Sequence, residues 1–193
     1  METGKLSLDI TALSDIIVSA DHPVPSVDGD YRLASVFMLL KEPEVDPRLL
    51  TVLKTDSRGY AWRNQMAFPG GHVDETDASP LAAAYRELEE ELAIPADDVH
   101  FLGSLGQYVT IQNRMIEAFL GVWSPRHPIR FDASEIAKVY EVPLAGLVAS
   151  HVNNGYSGHV PGWETLRYPH EDVVIWGVTA RVVHHFIETV YHP

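Results

Sequence analysis

Residues 66–94 read Met66-Ala-Phe-Pro-Gly-Gly-His-Val-Asp-Glu-Thr-Asp-Ala-Ser-Pro-Leu-Ala-Ala-Ala-Tyr-Arg-Glu-Leu-Glu-Glu-Glu-Leu-Ala-Ile94. The second half of this stretch specifies a helix over 79–92. Ser79 is a good cap and Pro80 suits the first turn. Leu81, Tyr85, Leu88 and Leu92 form one apolar stripe of helical period, and Pro95 marks the end. The charge on this helix is badly placed for stability. Arg86-Glu-Leu-Glu-Glu-Glu91 crowds four carboxylates into the C-terminal turns, where the helix dipole disfavours each exposed anion by about 0.3–1 kcal/mol. Glu87 also repels Glu90 and Glu91 across one turn.

A divalent cation removes that conflict. Glu87 and Glu91 project from one face with Glu90 within reach, and hard oxygen donors of this kind suit Mg²⁺ or Mn²⁺. Arg86 precedes Glu90 by four residues and is placed to hold its orientation, whereas Glu89 points to solvent. On this reading Glu91→Gln relieves repulsion and slightly raises the stability of the metal-free protein. Upstream, Phe68-Pro-Gly-Gly71 follows a short strand. Glycine lets backbone and ligand approach closely, so the Gly70 carbonyl is a candidate to complete the metal site. A Glu-rich helix alone reads equally as a solvated face, and two glycines alone as a tight turn; together they favour a site.

Working outward, apolar runs predict strands at 33–40, 49–53, 66–68, 100–105, 107–111 and 115–122. Residues 142–147 start a short helix or turn, and 173–191 carry apolar residues at helical spacing. Strands, helix, strands, helix is the order of an α/β protein with a mixed sheet between helices. Residues 1–30, with Pro23, Pro25, Asp28, Gly29 and Asp30, read as an N-terminal extension bearing at most a weak helix within 6–19. Residues 31–193 form the domain. The absence of cysteine excludes disulfides, zinc–thiolate sites and thiol catalysis. A net charge of −13 argues against a nucleic-acid partner, and it makes bound cations a condition for any phosphate chemistry. No apolar run approaches the roughly 20 residues that span a bilayer, and acidic residues interrupt the N-terminus. A cytoplasmic protein with no membrane partner is expected. His184 and His185 are adjacent, diverge by about 100° on a helix and are expected at the surface or an interface. His72 is expected in a solvated turn.

These segments resemble the Nudix box, G-x5-E-x7-R-E-U-x-E-E-x-G-U with U apolar. Gly71 takes the first position, and Arg86, Glu87, Leu88, Glu90, Glu91 and Ile94 match the second half. Gly71 to Arg86 is one residue longer than the pattern. Counting forward puts Asp77 at the first Glu, counting back puts Ala78 there, and Ala93 replaces the late glycine. The longer spacing is similar to that of the coenzyme A diphosphatase branch. Gln65-Met-Ala-Phe-Pro-Gly-Gly71, Glu135-Ile-Ala-Lys-Val-Tyr-Glu-Val-Pro-Leu144 and Ile175-Trp-Gly-Val-Thr-Ala-Arg181 resemble that branch as well. The branch usually carries Arg-Ser after its Leu-Leu-Thr strand, then a His and a Gly. Here Leu49-Leu-Thr51 leads to Val52-Leu53-Lys54, with Trp62 and Asn64 near the expected His and Gly.

The resemblance implies an α/β/α sandwich and a Mg²⁺- or Mn²⁺-dependent hydrolase of a nucleoside diphosphate derivative, with coenzyme A or acyl-coenzyme A leading. ADP-ribose, dinucleoside polyphosphates and nucleoside triphosphates follow, as does a non-catalytic nucleotide-binding domain. The isopentenyl diphosphate isomerases share this fold but use a cysteine. Glu87, Glu91, Glu90 and Gly70 are the expected metal site, with Arg86 in support. Glu90 is also a catalytic candidate. Glu135 is the candidate general base, read in an irregular stretch after the strands, with Glu117 as runner-up. Arg114 and Gly71 are candidates for substrate binding. Self-association as a homodimer is left open.

Overall fold

The computed structural model describes residues 6–25, 29–56, 64–159, 161–162 and 164–191. In chain order the elements are α1 (Ile10–Ser19), β1 (Arg32–Lys41), β2 (Arg48–Lys54), β3 (Met66–Ala67), β4 (Gly70–His72), α2 (Pro80–Leu92), β5 (Val99–Val109), β6 (Arg114–Trp123), β7 (Ile136–Pro143), α3 (Leu144–Asn153), β8 (Arg167–His170), β9 (Val173–Trp176) and α4 (Gly177–Tyr191).

β1 is the centre of the main sheet. It runs parallel to β6, pairing Ser35 with Glu117, and β6 is antiparallel to β5. On its other side β1 divides its partners. Its C-terminal end pairs with β2, Leu39 opposite Leu50, and its N-terminal half pairs with β4, Ser35 opposite Gly71. β2 diverges to pair with β3 and β7. The sheet therefore opens between β1 and β2, and the glycine turn sits in that opening.

Alternation along the strands builds two cores. Phe37, Leu39, Leu50, Val52 and Phe119 face α2, where they bury Ala84, Leu88 and Leu92. Met38, Leu40, Leu105 and Leu120 face the other way, against Leu13 and Ile17 of α1 and Val182, Val183 and Phe186 of α4. Helices thus cover both faces of a mixed sheet, the predicted α/β/α fold.

α1 is capped by Asp9, whose side chain accepts from the Ala12 N–H at 2.8 Å. It is part of the second core, since Leu8, Leu13 and Ile17 are all buried. The expected strands at 100–105 and 107–111 are one strand, β5, with two bulges. There Gly103 and Gly106 have positive φ and leave no room for a Cβ against Ile17 and Pro23. β7 is a strand that the sequence pattern does not show, because only Ile136, Tyr140 and Val142 point inward. The C-terminal run divides into β9 and α4 at Gly177, which has a positive φ. His184 is corrected from surface to core: it is buried, with Nε2 3.0 Å from the His159 carbonyl. His185 packs its Nε2 2.8 Å from Nδ1 of His22, and burial pushes its pKa down to about 4.

Candidate active site

α2 begins as predicted, with Ser79 Oγ accepting from the Ala82 N–H at 3.1 Å. It ends two residues before Pro95, at Ala93, which is left-handed (φ 53°) and exposed. Its N–H reaches the Glu89 carbonyl at 3.0 Å and that of Ile94 reaches Leu88 at 3.2 Å. This is a Schellman-type stop at the position where the box has glycine.

The helix presents Glu87 and Glu91 to the glycine turn. Gly70 has φ 143°, and a Cβ there would overlap the Ser35 carbonyl. A Cβ on Gly71 would overlap the Glu87 carboxyl. The two glycines are therefore what lets the carboxylates come against the backbone. Glu91 is buried, accepts from the Gly70 N–H at 3.1 Å and is ion-paired with the buried Lys54 ammonium. Burial pushes the Glu87 carboxyl above its usual pKa, against the opposing pull of Arg86.

Arg86 organises the approach to this face. Nη1 donates to Glu87 Oε1 at 2.9 Å and to Glu90 Oε2 at 2.8 Å. Nη2 donates to the His72 carbonyl at 2.9 Å. Nε and Nη2 together grip the Asp77 carboxylate at 3.1 and 3.0 Å. Its pKa is raised, above all by Asp77. Glu90 and Glu89 are exposed.

Among the described residues, no three His, Cys, Asp or Glu side chains are grouped as a ready metal cage. The donor chemistry nevertheless fits a hard cation. The half-buried Glu87 and buried Glu91 carboxylates lie against a side-chain-free backbone, and Glu91 is already paired with a positive charge. Buried beside this face is Ser35 Oγ, which has no hydrogen-bond partner among the described residues. Ser35 is in register with both Gly71 and Glu117.

The other candidates are distributed around this centre. Glu135 is exposed, in the turn that ends the irregular stretch between β6 and β7. Its carbonyl accepts from the Thr55 N–H at 3.0 Å, one residue beyond Lys54. Glu117 takes a 3.5 Å contact from Gln107 Nε2. Arg114 Nη1 lies 2.7 Å from His72 Nε2. His72 is corrected from a solvated turn to a half-buried β4 residue, its pKa lowered by burial and then by Arg114. Trp62 lies outside the described residues.

Two residues to which the sequence assigned no role in the site matter here, Lys54 and Asp77. Lys54 had a signal, since it closes the otherwise apolar run Leu49-Leu-Thr-Val-Leu53. Asp77 occupies the first-Glu position of the box when counted from Gly71.

A largely apolar cavity of about 190 Å³ adjoins the glycine turn on the α4 side of the sheet. Its lining includes Ala34, Val36, Phe68, Trp176 and Val178, together with Lys54 and the two glycines of the turn.

A mixed sheet between helices, with an acidic helix over a double-glycine turn, defines a class of hydrolytic enzyme built around carboxylates. The chain belongs to the Nudix hydrolases: the NUDIX domain family model matches residues 32–173. It is 34% identical over 163 residues to the uncharacterized Nudix hydrolase NudL of Escherichia coli K12, covering 80% of each chain. Among solved structures, it superposes on a MutT/nudix family protein from Enterococcus faecalis with TM-score 0.54 and 14% identity, over 96% of this chain and 70% of that one. A C. elegans Ap4A hydrolase complex gives TM-score 0.51 and 16% identity, over 64% and 90%. These low identities show a shared fold. Nudix enzymes generally use divalent metals such as Mg²⁺. Among the described residues, no helix is long and apolar enough to cross a membrane.

Proposed function

We propose that the protein hydrolyses the diphosphate linkage of coenzyme A or an acyl-coenzyme A, giving 3′,5′-ADP and a 4′-phosphopantetheine product. One observation carries this reading. Two separate segments that resemble the coenzyme A diphosphatase branch, Gln65–Gly71 and Ile175–Arg181, contribute residues to the lining of the same cavity. That lining includes Gly70 and Gly71, and Gly71 lies against the Glu87 carboxyl. A largely apolar cavity that adjoins a diphosphate site suits a substrate with a long, weakly polar arm.

Glu87, Glu91, Glu90 and the Gly70 carbonyl would hold Mg²⁺ or Mn²⁺, which when bound would supply charge neutralisation of the diphosphate and a more acidic water. Arg86 orients Glu87 and Glu90. Glu135 takes the proton of that water, from a turn anchored beside Lys54; Glu90 assists, and Glu117 is the alternative base. Arg114, beside His72, neutralises a phosphate oxygen, and Gly71 lets the diphosphate approach the backbone. The retained Glu87, Glu90 and Glu91 argue for catalysis over nucleotide binding alone.

The test offers coenzyme A, ADP-ribose and a dinucleoside polyphosphate together with Mg²⁺, with products read by mass spectrometry. Coenzyme A should show the highest kcat/KM. Faster turnover of either competitor would overturn the coenzyme A assignment and leave diphosphate hydrolysis standing. No turnover of any would leave the non-catalytic reading.

A further inference from the structure

Lys54 is the last residue of β2, and its side chain is 3% exposed. Its backbone is fixed from both sides: the N–H donates to the Gln65 carbonyl at 3.1 Å, and the carbonyl accepts from the Asn64 N–H at 3.2 Å. The next residue is held to β7 through Thr55 Oγ1 and the Ser134 carbonyl, 2.8 Å apart. The ammonium therefore has little freedom at its root, and it is delivered onto one oxygen of Glu91. The other Glu91 oxygen takes the Gly70 N–H at 3.1 Å.

A buried carboxylate beside a second, half-buried one needs a positive charge within reach. The Arg86 guanidinium is directed to Asp77, Glu87, Glu90 and the His72 carbonyl. Lys54 supplies that charge to Glu91. One Glu91 oxygen carries the ammonium and the other the Gly70 N–H, so a cation arriving at this carboxylate meets the ammonium's charge at close range, and ammonium and metal compete. Lys54 also lines the cavity, which gives the displaced ammonium a place to go.

The geometry points to Lys54 as a built-in counter-ion, a positioning residue that occupies Glu91 in the metal-free protein and is displaced when a divalent cation binds. This rests on the metal reading above. Protein with Lys54 on Glu91 is not competent to bind metal there. The apparent affinity is reduced by that closed fraction, as in any equilibrium in which the binding-competent state is only partly populated.

The test compares full-length wild type, Lys54→Met and the double variant Lys54→Met/Glu91→Gln, without substrate. Mn²⁺ affinity is read by titration calorimetry and Tm by melting with and without Mn²⁺. Lys54→Met should melt lower than wild type when metal-free, and should bind Mn²⁺ roughly tenfold tighter or more. The double variant should regain metal-free Tm and lose the gain in affinity. If Lys54→Met does not fold without metal, recovery of the native melt on adding Mn²⁺ supports the proposal, and failure to recover overturns it. Equal or weaker Mn²⁺ binding by Lys54→Met overturns it while the metal reading survives. If wild type binds no Mn²⁺ at all, the metal reading fails as well.

Discussion

Arg86 holds Asp77 through two parallel hydrogen bonds, Nε to Oδ1 at 3.1 Å and Nη2 to Oδ2 at 3.0 Å. This side-on fork ties the loop before α2 to the helix that carries the acidic residues, and it leaves Nη1 for Glu87 and Glu90. The hydrogen bonds from Arg86 hold the Asp77 carboxyl below the usual carboxylate range.

Asp77→Asn is therefore expected to lower both stability and kcat at neutral pH, with a defined pH dependence. A depressed carboxylate pKa contributes stability above the unfolded-state value of 3.8 and loses it as pH falls through the folded value. The Tm gap between wild type and Asp77→Asn should be widest at neutral pH and should close below about pH 4. A gap independent of pH would show that the fork carries no charge-dependent stability.

Glu91→Gln is expected to abolish most turnover, a drop of roughly 10²–10³-fold if several kcal/mol of charge stabilisation are lost. Its effect on the metal-free protein is the reverse of the expectation from like-charge repulsion. The repulsion is already neutralised by Arg86 and Lys54, so removing the Glu91 charge strands a buried ammonium. A loss of about 1–3 kcal/mol is expected, read by denaturant melts in EDTA. A more stable variant would show that the Lys54 pair does not form in solution.

Ala93→Gly should stabilise the protein. A non-glycine residue in the left-handed region costs about 1–2 kcal/mol, partly offset by the greater chain entropy of glycine in the unfolded state. A net gain of about 0.5–1 kcal/mol is expected, with kinetics unchanged, since Ala93 lies past the acidic turn. Chemical denaturation of the two proteins side by side checks this.

Gly71→Ala and Gly70→Ala should separate site from fold. At Gly71 the added methyl meets the end of the Glu87 side chain, which can move away. The variant should keep its Tm and lose metal binding. At Gly70 the methyl meets backbone at a φ of 143°, and a loss of about 1–3 kcal/mol is expected. Equal Tm losses in both would contradict this division.

Leu13→Ala should cost about 2–5 kcal/mol, because Leu13 is buried against the sheet. A melt within error of wild type would show that α1 is not part of the cooperative unit.

The helix α2 and the strands β1, β2 and β6 were legible because each carries a full period of apolar residues and a clear stop signal. β7 and β8 were not, since β7 is half exposed with an irregular burial pattern and β8 is short, so no clean alternation survives to be read. The acidic residues were legible because their charge violates helix electrostatics. Lys54 and Asp77 were not, because their roles depend on partners 37 and 9 residues away. No local spacing encodes such pairings. α1 was read weakly because proline and glycine follow it, whereas its burial comes from β5 and α4, far along the chain.

The segment after α1 also decides how copies of this protein can meet. β5 is the last strand on its side of the sheet, and the Pro23 carbonyl accepts the Gln107 N–H there at 2.7 Å. The bulge glycines of the same strand leave no space over Ile17 and Pro23. An unprotected outer strand invites a neighbour to extend the sheet. Here Pro23 occupies that edge at Gln107, so a dimer formed by joining two β5 strands into one continuous sheet would have to displace it there.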